Sequence, residues 1–289
     1  MNISHPNGPM RGVERESCFI VRDDAGVELG QGSLSVKSMM DVLPERPLNF
    51  IMQLDAHPAA MDMLFGALMI RARAMHQRRG STPARIVVPC ALTDTFKHDY
   101  FLSMGFDDSD GEELFRFVMP ERLREMPPPL GTGVVPVPMR TQNETDQLVS
   151  RMDRYTGEQW SVSRFESILN TPHFMALAVY SGSELCGEIV VSGQGPDAMI
   201  EALYTLPNWR RQGVAMALLS QALHALALRE VQYLYGRTIR RNARALSFVS
   251  RMGFEWVMTR EILLGKDLNR GAGKPEPSAA SSLETVFSR

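Results

Sequence analysis

Apolar residues recur along the chain with two different periods, and each change of period marks an element. In the second half, residues 174–180, 185–192 and 199–206 are short apolar runs bounded by turn residues, which predicts three strands. Val214, Leu218, Ala222 and Leu226 then repeat every fourth position, and Leu219 and Leu223 widen that face. This predicts a helix over residues 214–229 that packs on a sheet. Val231, Tyr233 and Tyr235 alternate as in a strand, residues 242–252 read as a helix, and residues 256–264 return to strand character. Upstream, residues 134–139 read as a first strand, and residues 142–154 and 161–169 as two short helices. The expected fold class is mixed α/β (α+β), with a central sheet flanked by helices.

The first half repeats this layout more faintly. Strands are expected at 18–22, 34–36 and 49–55, a helix at 61–75, a strand at 84–89, a helix ending in Met104-Gly105-Phe106, and a strand at 114–119. Met252-Gly253-Phe254 holds the equivalent place 148 residues later, so the sequence predicts a duplicated fold. Three consecutive prolines, Pro127, Pro128 and Pro129, suit a stiff connector. The expected domains are therefore residues 1–127 and 128–268, followed by a flexible tail over 269–289 that is rich in Gly, Ala, Pro and Ser.

Composition narrows the chemistry. Of 289 residues, 44% are hydrophobic and 22% charged, which suits a folded chain, and a net charge of -2 supplies no global positive field for nucleic acid or an anionic membrane. Cys18, Cys90 and Cys186 are odd in number and far apart, which suits neither a disulfide framework nor a zinc knuckle, so no metal is expected. The polar, turn-rich start lacks a signal-peptide core, and no stretch approaches the ~20 apolar residues of a membrane span. A cytoplasmic monomer or homodimer is the expectation, with no nucleic-acid or membrane partner. Gly131-Thr132-Gly133 leads into Val134-Val135-Pro136 rather than a helix, so the dinucleotide-binding fingerprint fails. The histidines lack metal-ligand spacing, and no Gly-x-Ser-x-Gly elbow occurs.

The most informative stretch follows the strand at 199–206. A turn with Pro207 leads through Arg210-Arg211-Gln212-Gly213-Val214-Ala215 directly into the amphipathic helix. Amides in a first helical turn are unpaired and carry partial positive charge, so an anion such as pyrophosphate fits there. Gly213 and Ala215 keep bulk out of its way, and Arg210 and Arg211 add charge-assisted donors.

Here the sequence resembles the GNAT superfamily of acyl-CoA-dependent N-acyltransferases. The family loop Q/R-x-x-G-x-G/A is matched by Arg210, Gly213 and Ala215. The element N-x-x-A, followed by an apolar helix ending in G-F, is matched by Asn242, Ala245, Gly253 and Phe254. The resemblance covers about residues 134–266 and, more weakly, the first half. It implies two GNAT-like domains in tandem, the second splayed between its fourth and fifth strands, and transfer of an acetyl group from acetyl-CoA to an amine of a small molecule or protein in a ternary complex. It puts pantetheine against the backbone of Leu203, Tyr204 and Thr205, pyrophosphate on the amides of Arg211, Gln212, Gly213, Val214 and Ala215, and Asn242 and Phe248 beside the cofactor. Arg237, Arg240, Arg241 and Arg244 form a basic cluster near the expected adenosine end.

Glu201 matches a family position for a base that takes the amine's proton through water. The family often keeps a tyrosine as acid seven residues after the motif asparagine, and here Val249 stands there; Tyr204, Tyr235 or water is the expected substitute. Tyr155, Glu158, Gln159 and Trp160 are candidate lining residues for the acceptor. The first half has His57-Pro58-Ala59-Ala60-Met61-Asp62 where the phosphate loop belongs, and the Asp62 charge opposes a pyrophosphate, so that copy is read as degenerate. A non-catalytic acyl-CoA-binding or interaction module is the alternative, with Val249 as its support.

Overall fold

The computed structural model describes residues 1–10, 12–80 and 82–268; the tail expected over 269–289 lies outside the described residues. The chain forms two compact units, one of Met1–Glu112 with residues 259–268, the other Glu113–Met258. Pro127, Pro128 and Pro129, where the sequence places its connector, lie inside the second unit.

The first unit contains β1 (Asn2–Ser4), β2 (Cys18–Arg22), β3 (Glu28–Ser38), β4 (Leu48–Ala56), α1 (Pro58–Gln77), β5 (Ala84–Ala91), α2 (Thr95–Ser103) and the start of β6 (Asp107–Val118). β1 to β4 pair antiparallel in sequence order, and β4 runs parallel to β5 from Leu48↔Ala84 to Ile51↔Val87. The other edge of β5 is covered by residues 261–267, from Glu261↔Ala91 to Asp267↔Arg85. Beneath the sheet, α1 supplies Met61, Leu64, Leu68 and Ala72 to a core that includes Phe50, Met52, Phe101 and Leu264.

The second unit holds the rest of β6, then β7 (Thr132–Pro136), α3 (Gln142–Thr156), α4 (Val162–Leu169), β8 (Met175–Ser181), β9 (Glu184–Gln194), β10 (Asp197–Thr205), α5 (Val214–Ala227), β11 (Tyr233–Ile239), α6 (Ala243–Arg251) and the start of β12 (Glu255–Asp267). β7 to β10 pair antiparallel, and β10 runs parallel to β11. On one sheet face, α5 buries Leu218, Leu219, Leu223 and Leu226 against Ile189, Val191 and Leu234. On the other, α3 and α4 bury Leu148, Met152 and Phe165 against Ala176, Val190 and Ala202. Truncating one such leucine of α5 to alanine would cost about 2–5 kcal/mol, so the helix is firmly seated and its first turn fixed.

The expected fold class is therefore what the chain adopts, and the duplication shows in backbone detail. Gly105 and Gly253 both take left-handed conformations, φ 78° and 80°, where helices α2 and α6 stop. In each unit four residue pairs join the two parallel strands before they part. No helix among the described residues is long and apolar enough to cross a membrane.

Two carboxylates of the first unit respond to pH in opposite directions. Burial works to raise the Asp107 carboxyl, but Ser109 and Arg85 together hold it below its usual range. Burial, then the nearby Glu112, push the Glu261 carboxyl up. A raised folded value favours folding below the unfolded value, about pH 4.3 for Glu, and that contribution is lost as pH rises through the folded value. Glu261→Gln is thus expected to raise the melting midpoint at neutral pH. The gain should vanish below about pH 4, where the native carboxyl is protonated too.

Candidate active site

The site grows out of the parting of β10 and β11. Their parallel pairing runs from Asp197↔Tyr233 to Ile200↔Gly236 and then stops, although both strands continue. From Ala202 to Thr205, β10 stays paired to β9, while its other edge has no pairing to β11. The splay implied by the resemblance is present, and it opens at Glu201.

A β-bulge sits at the same point. The register against β9 shifts between Ile200↔Val191 and Ala202↔Val190, so Glu201 is an extra residue in the ladder. Ile200 and Leu203 pack on the α5 side of the sheet, whereas Ala202 and Tyr204 pack on the α3 and α4 side. The Glu201 carboxylate accepts from Ser192 Oγ at 2.6 Å. Strict alternation would put Glu201 and Tyr204 on opposite faces; the bulge brings both toward the α3 side.

Three charged side chains gather around Glu201. Arg237 Nη2 donates to Glu201 Oε2 at 3.3 Å and to Glu158 Oε2 at 3.2 Å. Arg164 Nη2 donates to the same Glu158 oxygen at 2.7 Å, and its guanidinium lies over the Trp160 ring at 3.8 Å. The structure thus joins Glu158 and Trp160, expected as acceptor-lining residues, to the region of the candidate base. It also moves Arg237 from the expected adenosine-side cluster to this group. Arg240 is similarly committed inside the unit, binding the fully buried Glu113 through Nε at 2.7 Å and Nη2 at 2.6 Å.

The candidate acid, Tyr204, is 6% exposed, and its ring stacks on Tyr155 at 5.1 Å. Its hydroxyl donates to Glu188 Oε2. Glu188 also accepts two bonds from Arg151, at 2.9 and 2.7 Å, while burial pushes its carboxyl up against the pull of that guanidinium. The sequence reading missed Glu188 and Ser192. A glutamate inside the apolar run of residues 185–192 was the available signal, because a buried carboxylate needs a partner.

At the far end of β10 lies the glycine-led turn. Among the described residues, every α-helix but α5 has a side chain accepting from a first-turn amide: His57 for α1, Asp94 for α2, Thr141 for α3, Ser161 for α4 and Asn242 for α6. Helix α5 begins at Gly213 with φ 90° and has no side-chain cap. Arg211 also takes a left-handed conformation, φ 64°, so the backbone curls twice within three residues. Uncapped amides beside such a curl make a concavity suited to an anion. Arg210 Nε reaches back to Thr205 O at 3.3 Å, and the Gln212 side chain donates to Asn208 O at 2.8 Å.

Asn242 caps α6 through Oδ1, accepting from Ala245 N at 3.2 Å, so that oxygen is already used. Phe248 and Val249 are partly buried against the α5-side core. In the first unit, α1 opens with a histidine cap and Pro58, and Asp62 accepts from the Tyr100 hydroxyl at 2.7 Å. Burial, then Asp62, push that hydroxyl above its usual range. No cluster of three or more His, Cys, Asp or Glu among the described residues is arranged to hold a metal.

Comparison with known proteins bears on the second unit first. Residues 145–254 match the model of the Acetyltransferase (GNAT) family. No curated protein matches the chain. Among solved structures, a conserved protein from Enterococcus faecalis V583, described as a probable N-acyltransferase, is 10% identical over 86% of this chain and 61% of its own, with a TM-score of 0.53. A GCN5-related N-acetyltransferase from Sphaerobacter thermophilus is 13% identical over 91% of this chain and 84% of its own, with a TM-score of 0.49. A tandem GNAT protein from the clavulanic acid biosynthesis pathway, solved without AcCoA, is 15% identical over 88% of this chain and 83% of its own, with a TM-score of 0.45. At 10% identity the likeness to the Enterococcus protein concerns the fold alone, and what the comparisons show of family is that residues 145–254, in the second unit, match the Acetyltransferase (GNAT) model.

Proposed function

We propose that the second unit transfers an acetyl group from acetyl-CoA to a primary amine by direct attack in a ternary complex. The observation that carries this reading is the splay of β10 from β11, with Glu201 at its apex and an uncapped, glycine-led helix beyond its wide end. Pantetheine then adds to the unpaired edge of Leu203, Tyr204 and Thr205 like a short strand. Pyrophosphate lies on the amides of Arg211, Gln212, Gly213, Val214 and Ala215, with Arg210 and Arg211 supplying charge. Asn242, through its side-chain nitrogen, and Phe248 complete the cofactor contacts.

In the reaction the amine nitrogen forms a bond to the thioester carbon, and the carbon–sulfur bond breaks. Glu201 takes the proton from the ammonium through water, and a backbone amide in the stretch 203–205 stabilises the oxyanion. Because the Tyr204 hydroxyl is engaged by Glu188 and Val249 has none, water protonates the departing thiolate. Tyr204 serves instead to fix β10 against β9.

Glu201→Gln tests the assignment. General-base loss typically costs about 10²–10⁴ in rate, so turnover should fall about a hundredfold or more while acetyl-CoA affinity stays unchanged. Unchanged turnover would remove Glu201 from the role. Saturable acetyl-CoA binding with no thiol release for any amine would instead favour a non-catalytic acyl-CoA-binding module.

A further inference from the structure

Arg237 is held more loosely than its surroundings require. Its two bonds, at 3.2 and 3.3 Å, come from one nitrogen and are long beside the ~2.7–2.9 Å of a good charge-assisted pair. Among the described residues, its buried Nε has no hydrogen-bond partner. Each carboxylate also has another partner: Glu158 has Arg164 at 2.7 Å, and Glu201 has the Ser192 hydroxyl at 2.6 Å. Arg237 is therefore the displaceable member of a balanced group of two arginines and two glutamates.

We propose that the acceptor is a zwitterion of the α-amino-acid type. Its ammonium takes the place of the Arg237 guanidinium beside Glu158 and Glu201, and its carboxylate accepts a bidentate pair from the guanidinium it displaces. This rests on the reading of the second unit as an acyltransferase. Charge balance selects the class, because a zwitterion leaves the group neutral. A simple cation would have to expel Arg237 into a new environment with no anion to meet it, and a simple anion would face two carboxylates. Adjacent amine and carboxylate also fix the nucleophile next to Glu201, since an arginine fork holds a carboxylate in one plane. The balance of the transfer is unchanged: nitrogen gains the acetyl carbon, sulfur leaves as thiolate, and the ammonium proton passes by way of Glu201 and water.

The test follows thiol release from acetyl-CoA with each of the common amino acids, with their carboxamides, and with alkylamines of similar size. At least one amino acid should exceed its own amide about tenfold or more in kcat/KM. Arg237→Gln should erase that ratio, mainly through KM, and Arg237→Lys should restore part of it, with thermal unfolding in parallel to show that both variants are folded. Amides or alkylamines turned over as well as the acids would overturn the proposal and leave the transferase reading standing. If no amine releases thiol, the transferase reading fails, and calorimetric titration of the same amino acids and amides into the CoA-loaded protein decides the proposal. Saturable heat from an acid, absent for its amide and lost in Arg237→Gln, supports it; no heat from any acid overturns it.

Discussion

A chain ended after Met258 will lose the fold of its first unit. That cut removes the strand segment paired to β5 from Glu261↔Ala91 to Asp267↔Arg85. It also removes Leu264, fully buried in that unit's core, and Asp267, which binds Arg85 at 3.0 Å and Arg46 at 2.9 Å. Arg85 is 4% exposed and would keep, among the described residues, Asp107 at 2.6 Å as its ionic partner. Losing a buried leucine costs about 2–5 kcal/mol, and the lost Arg85–Asp267 and Arg46–Asp267 pairs add to it. Together with the bared edge of β5, this is a large part of the stability of an ordinary domain, about 5–15 kcal/mol. A chain ended after Leu268 keeps every one of these contacts and serves as the control. Two-step or absent cooperative unfolding of the shorter chain, against a normal melt of the longer, is the expected outcome. Equal melting of the two would show that residues 261–267 contribute little to the first unit.

The second large effect is at Gly213, where Gly213→Asp should weaken acetyl-CoA binding at least a hundredfold. The glycine heads α5 at φ 90°, and a Cβ built there meets nothing within 4 Å. A side chain therefore fits sterically, and the backbone strain of a left-handed residue costs only about 1–2 kcal/mol. What the aspartate changes is electrostatic: it caps the helix and puts a negative charge where the pyrophosphate is proposed to lie. Gly213→Ala separates the two terms, because it adds the strain without the charge. It should lower thermal stability slightly and affinity much less than the aspartate does. Similar affinity losses in both variants would assign the effect to backbone geometry rather than to anion repulsion.

Much of the architecture was legible because its signals are local. Four-residue spacing on Val214, Leu218, Ala222 and Leu226 sets α5, and the apolar runs set β8, β9 and β10. Met-Gly-Phe, repeated at residues 104–106 and 252–254, revealed the duplication because a left-handed stop demands glycine in both copies. The glycine-led turn before α5 was legible for the same reason. Other features depend on partners far away in sequence. Nothing local says that residues 259–267 complete the sheet of the first unit, since a strand's pattern does not name its neighbour. β1 also escaped notice, being three exposed residues whose place is set by pairing with β2.

The candidate site divides along the same line. Glu201 was picked out by position, but alternation alone would have aimed it away from Tyr204; the bulge that redirects it has no glycine to announce it. Arg237 looked like one basic residue among four because sequence order places it near Arg240 and Arg241. In three dimensions its partners are Glu158, 79 residues away, and Glu201, 36 residues away. Glu188 and Arg151 are likewise joined across 37 residues, and Glu188 engages the Tyr204 hydroxyl that was expected to substitute for the acid missing at Val249.

The central claim is that the second unit binds acyl-CoA across the splay of β10 and β11. Calorimetric titration of acetyl-CoA into the intact chain, beside Gly213→Asp, tests it most directly. The account predicts one saturable site per chain in the native protein, lost in the variant while the fold is retained. No saturable heat in the native chain, or equal binding by the variant, would contradict it.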